Sequence, residues 1–303
     1  MTRVADQDVS LSANGTSEYC NSGIDYEWDF GDGSSHENSA NATHRYLTAG
    51  NYIATVTARC HACPSAQRST VVNITVNEGI HLVQHNYPGS SGPQQIKEHQ
   101  TAWITADPEM PDLRATIPGE TGMVIWTLRI TDTYLGTLYG DYSSSTLTIP
   151  ATQEWDIYAT ELWHDNFMGG LAFLTATLAN GQQRGLSFNI LARNPLPDAV
   201  TTHVDSIQGR PWFASAILRH ESQYQQFDTA GYPYKGNNGS SIDWGVAQIN
   251  DVFQTVTRQV VWNWKNNAEK GVQVMNDVRS EVPAYFNKIK WGFSRVVVPA
   301  STI

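Results

Sequence analysis

The sequence predicts a multidomain α+β chain, with two β-sandwich modules followed by an α-rich module. Three observations carry this expectation. At 303 residues the chain exceeds what one hydrophobic core serves. Apolar residues recur with a period of two between Val9 and Val76, and again between Gly79 and Asn194. Beyond Pro197 the period lengthens to that of a helix, with Val200, Val204 and Ile207 at i, i+4 and i+7. The boundaries are therefore placed at 1–78, 79–194 and 195–303.

In the first segment the runs Asp8 to Ala13, Tyr26 to Phe30, Asn51 to Ala58 and Val71 to Val76 read as strands, and Val72, Ile74 and Val76 share one face. The turn Trp28-Asp29-Phe30-Gly31-Asp32-Gly33-Ser34 is followed by His44-Arg45-Tyr46, Gly50-Asn51-Tyr52 and Thr55-Val56-Thr57. Together these residues resemble a PKD domain, an immunoglobulin-like module, over about 70 residues. The resemblance implies a spacer or adhesive arm. Asp29 and Asp32 then read as turn residues whose short side chains bond the local backbone, in preference to a calcium site. Cys20, Cys60 and Cys63 all fall in this segment. Cys60-x-x-Cys63 has no second such pair or spaced His pair to complete a zinc site, so one disulfide is expected, either local or through Cys20. The third thiol has no assigned role.

In the second segment Val124 to Ile130 and Ser145 to Ile149 read as strands. Leu171 to Leu178 is joined to Arg184 to Ile190 through Ala179-Asn180-Gly181-Gln182-Gln183, and Asn-Gly between two apolar runs is a hairpin signal because both residues tolerate positive φ. Glu161, His164 and Asp165 read as a polar strand edge rather than a site.

Charge is unevenly spread over these segments. Cut near Gly79 and Pro197, the chain holds 4 basic and 9 acidic residues, then 5 and 11, then 10 and 9, so the net charge of −10 belongs to the first two segments. That argues against a nucleic-acid partner, while the near-neutral third segment can approach an anionic polymer. Frequent Gly, Ser, Thr and Asn with 10 Trp and 13 Tyr favour extracellular β-rich modules. No apolar run of about 18 residues is present to span a membrane. Met1 leads into polar sequence without a leader peptide, so either a leader has been trimmed or export takes another route, as part of a phage particle for example.

The third segment follows Arg193-Asn194-Pro195-Leu196-Pro197, read as a linker. One helix is expected over Asp198 to Gln208, with Pro197 in its first turn and Gly209 at its end. A second opens at Pro211 and places Phe213, Ile217 and Glu221 on one face. A carboxylate buried on such a face is pushed toward its neutral form. A glutamic acid kept protonated near neutral pH can donate a proton to a departing glycosidic oxygen.

The residues that follow sharpen that expectation. Arg219-His220-Glu221-Ser222-Gln223-Tyr224 precedes Asn237-Asn238-Gly239-Ser240-Ser241-Ile242-Asp243-Trp244-Gly245-Val246-Ala247-Gln248-Ile249-Asn250. The pair resembles the lysozyme superfamily, in which a helix-borne E-S-x-aromatic motif precedes a polar hairpin ending in G-x-x-Q-I-N. Trp262 to Val272, with its N-x-x-x-G stretch Asn267 to Gly271, resembles the downstream helix start of lytic transglycosylases, which packs beneath the cleft.

The resemblance implies cleavage of peptidoglycan glycan strands at the β-1,4 bond between N-acetylmuramic acid and N-acetylglucosamine, with no cofactor and no metal. Glu221 would be the catalytic acid and base, and Ser222 would steady the carboxylate or a substrate oxygen. Gln248 and Asn250 would line the sugar cleft, and Gly245 would permit close backbone approach. Asp243 is either the second carboxylate of a hydrolytic scheme or a turn residue. Trp244, Tyr232 and Tyr234 either stack on sugars or pack locally. The later A-x-x-Y-N motif of lytic transglycosylases is matched only by Ala284-Tyr285-Phe286-Asn287, at the wrong spacing, and the chain runs out soon after Val296-Val297-Val298-Pro299, so the domain is either short or cut. The lytic scheme is preferred over the hydrolytic one. The rival expectation is a non-catalytic surface, phage or filament component whose third domain holds glycan without cutting it.

Overall fold

A computed structural model describes residues 1–5, 7–16, 20–131, 142–144, 146–159, 166–238 and 241–292. Glu161, His164, Asp165, Ser145, Gly239, Ser240 and the Val296 to Pro299 stretch lie outside the described residues.

The first module contains β1 (Thr2–Val4), β2 (Asp8–Ser12), β3 (Ile24–Asp29), β4 (Asn41–Arg45), β5 (Gly50–Cys60) and β6 (Cys63–Asn77). One sheet runs β1-β6-β5-β3 and faces the β2-β4 pair. Val9 and Leu11 alternate inward from β2 to meet Trp28, Ala54, Val56, Ile74 and Val76 from the larger sheet. Burial of each Val, Leu or Ile among them contributes about 1.5–3 kcal/mol. The Trp28 to Ser34 turn behaves as read. Asp29 Oδ1 accepts from Gly31 N (2.9 Å), and Asp32 Oδ1 accepts from Ser34 N and Oγ (3.1 and 2.6 Å). His44 closes on Asp32 at 2.7 Å and stacks on Phe30. Tyr46 Oη donates to Phe30 O at 3.0 Å, and burial pushes its phenol up to about 12. The disulfide joins Cys20 to Cys60, leaving Cys63 free and exposed.

The second module comprises β7 (His81–Gln84), β8 (Gln94–Ile96), β9 (Thr101–Ile104), β10 (Leu113–Thr116), β11 (Met123–Thr131), β12 (Tyr142–Ser143), β13 (Leu147–Pro150), β14 (Trp155–Asp156), β15 (Gly170–Leu178) and β16 (Gln183–Ala192). A β14-β10-β7-β8 sheet faces a β12-β11-β15-β16-β9 sheet. Val124, Trp126, Leu128 and Ile130 of β11 and Ala172, Leu174, Ala176 and Leu178 of β15 all point into the core between them. The β15–β16 hairpin closes through Ala179, Asn180 and Gly181, and Leu178 N donates to Gln182 O. Only Gly181 takes positive φ (79°), the three-residue loop with a terminal left-handed glycine. Asn180 instead accepts from Gln182 N through its side chain.

The third lobe holds α1 (Pro197–Ser206), α2 (Ala214–Ser222), β17 (Lys235–Asn238), β18 (Ser241–Trp244), β19 (Ile249–Asn250), α3 (Arg258–Trp262) and α4 (Trp264–Gly292). Ala284 to Asn287 falls within α4. Val200 and Val204 of α1 pack with Ala214 and Leu218 of α2 and with Trp264, Ala268 and Val272 of α4. The stretch Arg193 to Pro197 does not behave as a free linker. Asn194 Oδ1 accepts from Gln226 N and Phe227 N (both 2.9 Å), Ala192 N donates to Gly231 O (3.0 Å), and the Arg193 guanidinium lies 3.8 Å from the Trp103 ring centroid. Phe227, Trp244, Ile249, Val260, Val261 and Trp262 all join the core of the second sandwich. No helix among the described residues is long and apolar enough to cross a membrane.

Candidate functional site

Helix α2 sets the position of Glu221, and its buried face differs from the expected one. Ala214, Leu218 and Ser222 are buried, whereas Ile217 is 39% exposed and the Glu221 side chain 45% exposed. The apolar stripe is thus rotated by one residue, about 100°. Phe213 and Ile217 are larger than Ala214 and Ser222, but the smaller residues let α2 approach the turn after β18. The burial on which the sequence reading of Glu221 relied is absent. Its ion-pair partner among the described residues is His220, at 3.9 Å. The helix ends on two consecutive left-handed residues, Gln223 (φ 55°) and Tyr224 (φ 66°), so the chain turns sharply immediately after the carboxylate.

Ser222 is 5% exposed, and its Oγ donates to Val246 O (2.8 Å), with a second contact at Leu218 O (3.3 Å). It fastens the end of α2 to the turn and does not face solvent or the Glu221 carboxylate. The bond anchors the backbone at the end of α2, while the Glu221 side chain, one position earlier and about 100° round the helix, stays 45% exposed.

The turn itself spans Gly245 to Gln248, with Gln248 N donating to Gly245 O (3.2 Å). Two buried amides hold it. Gln226 Oε1 accepts from Val246 N (3.0 Å) while its Nε2 donates to Val261 O (2.7 Å) and Val260 O (3.2 Å). Asn267 Oδ1 accepts from Ala247 N (2.8 Å) while its Nδ2 donates to Trp244 O (2.8 Å) and Val260 O (3.1 Å). Gly245 has φ 69°, and a Cβ there would stand 2.2 Å from Gln226 Oε1. The close approach at Gly245 is therefore made by the protein's own amides. Gly271 packs in the same way against Ala247, whose Cβ would lie 2.4 Å from any Cβ added at Gly271. The Asn267 to Gly271 stretch thus supports the turn. Asn267→Ala would strand the Ala247 N–H and remove a donor from Trp244 O and Val260 O, the latter keeping Gln226 Nε2, and we expect a loss of about 2–4 kcal/mol, read by urea denaturation.

The polar side of the small sheet is built on Asp243, paired across strands with Gly236 and Asn250. Asn250 Nδ2 donates to Asp243 Oδ1 (2.7 Å) and to Ser241 Oγ (2.9 Å), and its Oδ1 accepts from Val252 N (3.0 Å). Gln248 (φ 47°) donates from Nε2 to Gly245 O (2.8 Å), and its Oε1 lies over Gly236, where a Cβ would stand 2.1 Å away. Asp243, Gln248 and Asn250 thus converge on one strip of partly exposed polar surface. Trp244 does not join them. It is 1% exposed and belongs to the core, with Lys235 Nζ 4.9 Å from its ring centroid. Tyr232 and Tyr234 are half-buried, and the loop before them is organised by Asp228, whose Oδ1 accepts from Ala230, Gly231 and Tyr232 N. Gln226 and Asn194 escaped the sequence reading, because a glutamine and an asparagine in loops carry no pattern until their backbone partners are known. No group of three or more His, Cys, Asp or Glu among the described residues is placed to hold a metal ion.

Comparison with known proteins bears on the N-terminal part. Among solved structures, the chain is similar to carbohydrate-binding modules from the β-sandwich superfamily, at 13% identity over 50% of this chain and 74% of that one, with a TM-score of 0.23. It is similar also to the three N-terminal domains of the bacteriophage RB49 Highly Immunogenic Outer Capsid protein, at 11% identity, 62% and 65% coverage and a TM-score of 0.26. A third is the insect immune protein hemolin, at 10% identity, 64% and 44% coverage and a TM-score of 0.25. The chain thus spans less than two thirds of the lengths of the latter two. No curated protein matches the chain. The PKD domain family matches residues 2–76, so the chain carries a PKD-like module there, with the Trp28 to Ser34 turn and the Tyr52 strand at its centre.

Proposed function

We propose that the third lobe is a lysozyme-like unit that cleaves the β-1,4 bond between N-acetylmuramic acid and N-acetylglucosamine in peptidoglycan, with Glu221 as acid and then base. The observation that carries this reading is the Ser222 to Val246 hydrogen bond. It holds the carboxylate-bearing end of α2 against the Gly245 to Gln248 turn, whose neighbours Asp243 and Asn250 present the polar strip. In the free chain Glu221 is open to water. A glycan strand lying over it excludes that water. Glu221 then protonates the leaving oxygen and, as carboxylate, takes the proton from the C6 hydroxyl, which attacks the anomeric carbon and closes a 1,6-anhydro ring. The PKD-like module and second sandwich act as spacer or adhesive arms on a secreted, cell-surface or phage-borne protein.

The bond from Asn250 to Asp243 supports a sheet-organising role for this aspartate and hence the one-carboxylate scheme. Asp243→Asn keeps an acceptor for Asn250, so we expect it to retain activity to within about tenfold. A hydrolytic scheme that uses Asp243 to stabilise the oxocarbenium-like centre predicts a loss of about 10² or more. Initial rates of wall lysis by the two proteins decide between them.

A second reading, a glycan-holding structural component, is favoured by the 45% exposure of the Glu221 side chain, which lacks the buried setting that an acid role in the free chain calls for. Purified cell walls separate the two. Cleavage lowers turbidity, whereas binding alone sediments the protein with walls of unchanged turbidity.

A further inference from the structure

Three sulfur atoms sit at one end of the PKD-like sheet, and the glycan-cleaving reading uses none of them. Cys20 and Cys60 are bonded, with Cα atoms 5.7 Å apart. Cys63 is paired directly across from Cys60 in the β5–β6 hairpin, with only His61 and Ala62 forming the turn between them. The register shifts between Arg59 and Cys60, so this pair belongs to the turn, and residues i and i+3 of a β-turn have Cα atoms within about 7 Å, overlapping the range of about 4.4–6.8 Å that a disulfide spans. Cys60 therefore has two partners within reach. Cys63 is exposed and carries the free thiol. Ser22 holds the Cys20 arm against the hairpin, its Oγ accepting from Ala62 N (2.9 Å) at 3.7 Å from the Cys60 sulfur and 3.8 Å from that of Cys20.

We propose that Cys63 is the resolving thiol of an internal disulfide exchange. Its thiolate attacks Cys60 Sγ, the Cys60–Cys20 bond breaks, and Cys20 leaves as a thiolate with the bonding electron pair. Cys20 then takes up a proton from solvent to replace the one Cys63 released. One disulfide and one thiol are present before and after, so no oxidant is consumed. The two isomers differ in what they hold. The Cys20–Cys60 bond closes a sequence separation of 40 residues and holds Cys20 to Gly23 beside a groove of about 420 Å³ that Cys20 and Cys60 line with Ile24, Arg59 and Arg68. A Cys60–Cys63 bond closes only the hairpin turn and frees that arm. The structure holds the Cys20–Cys60 bond with Cys63 free, so the arm-holding isomer is the resting one and exchange is the release step.

The full oxidised chain is incubated at pH 8 without reductant, quenched in acid, where exchange stops, and digested with pepsin for mass spectrometry. The expected result is a peptide carrying an internal Cys60–Cys63 bond, with an equal amount of free Cys20 thiol. Cys63→Ser abolishes the release of Cys20 thiol at least tenfold below wild type. Cys20→Ser treated with glutathione disulfide closes the Cys60–Cys63 bond. Wild-type protein that yields only the Cys20–Cys60 link overturns the proposal. So does a Cys20→Ser chain that accumulates glutathione adducts without forming the internal bond.

Discussion

Glu221→Gln is expected to lower the rate of wall lysis by about 10³-fold or more while leaving the fold and wall binding intact. The amide preserves shape but neither donates the proton to the leaving oxygen nor retrieves one from the attacking hydroxyl. General acid–base participation contributes about 10²–10⁴, and a single group serving both steps loses both at once. The fold is indifferent to this change because Glu221 is 45% exposed and makes no buried bond, the anchoring at that end of α2 being carried by Ser222. Turbidity loss, co-sedimentation with walls and circular dichroism of the variant read the three quantities. Lysis at near the wild-type rate rejects Glu221 as the acid.

Trp262→Ala is expected to cost about 3–5 kcal/mol and to destabilise the second sandwich together with the helical lobe. Trp262 is fully buried, sits with its ring centroid 6.1 Å from that of Phe227, and belongs to the same core as Trp126, Leu174 and Phe188. Deleting a buried indole removes both transfer free energy and packing. Because the core is continuous across residue 194, urea denaturation should show a single transition for residues 80–292 that moves as one. A helical signal lost at much lower denaturant than the sandwich signal would show that the two units unfold separately. The same continuity means that cleavage near Arg193 to Pro197 should not release a stable third lobe.

The parts of the fold legible in the sequence were those written in local pattern. Val72, Ile74 and Val76 share a face because alternation is a property of the strand itself, and the Asn180-Gly181 hairpin follows from turn chemistry within five residues. The PKD-like turn was legible for the same reason. What local pattern could not carry was which of two adjacent helix stripes would be buried. In α2 the bulkier stripe, Phe213 and Ile217, looked like the core face, but close approach to the Val246 turn selects Ala214 and Ser222. Trp244 stood open between a sugar platform and local packing, because the parts of the chain that bury it are distant in sequence. The partner of Cys60 was equally hidden, because both Cys20 and Cys63 satisfy the spacing and only the fold of the Cys20 arm distinguishes them. For the site, the order of motifs from Glu221 to Asn250 was readable, while the amides of Gln226 and Asn267 that hold the turn emerged only with their backbone partners.

Cleavage of glycan strands at the N-acetylmuramic acid linkage is read from the products. Purified peptidoglycan is incubated with the protein and the soluble fraction analysed by mass spectrometry. The expected products are muropeptides ending in 1,6-anhydro-N-acetylmuramic acid, absent when Glu221→Gln is used. Release of no soluble glycan fragments by a folded, wall-binding protein would contradict it.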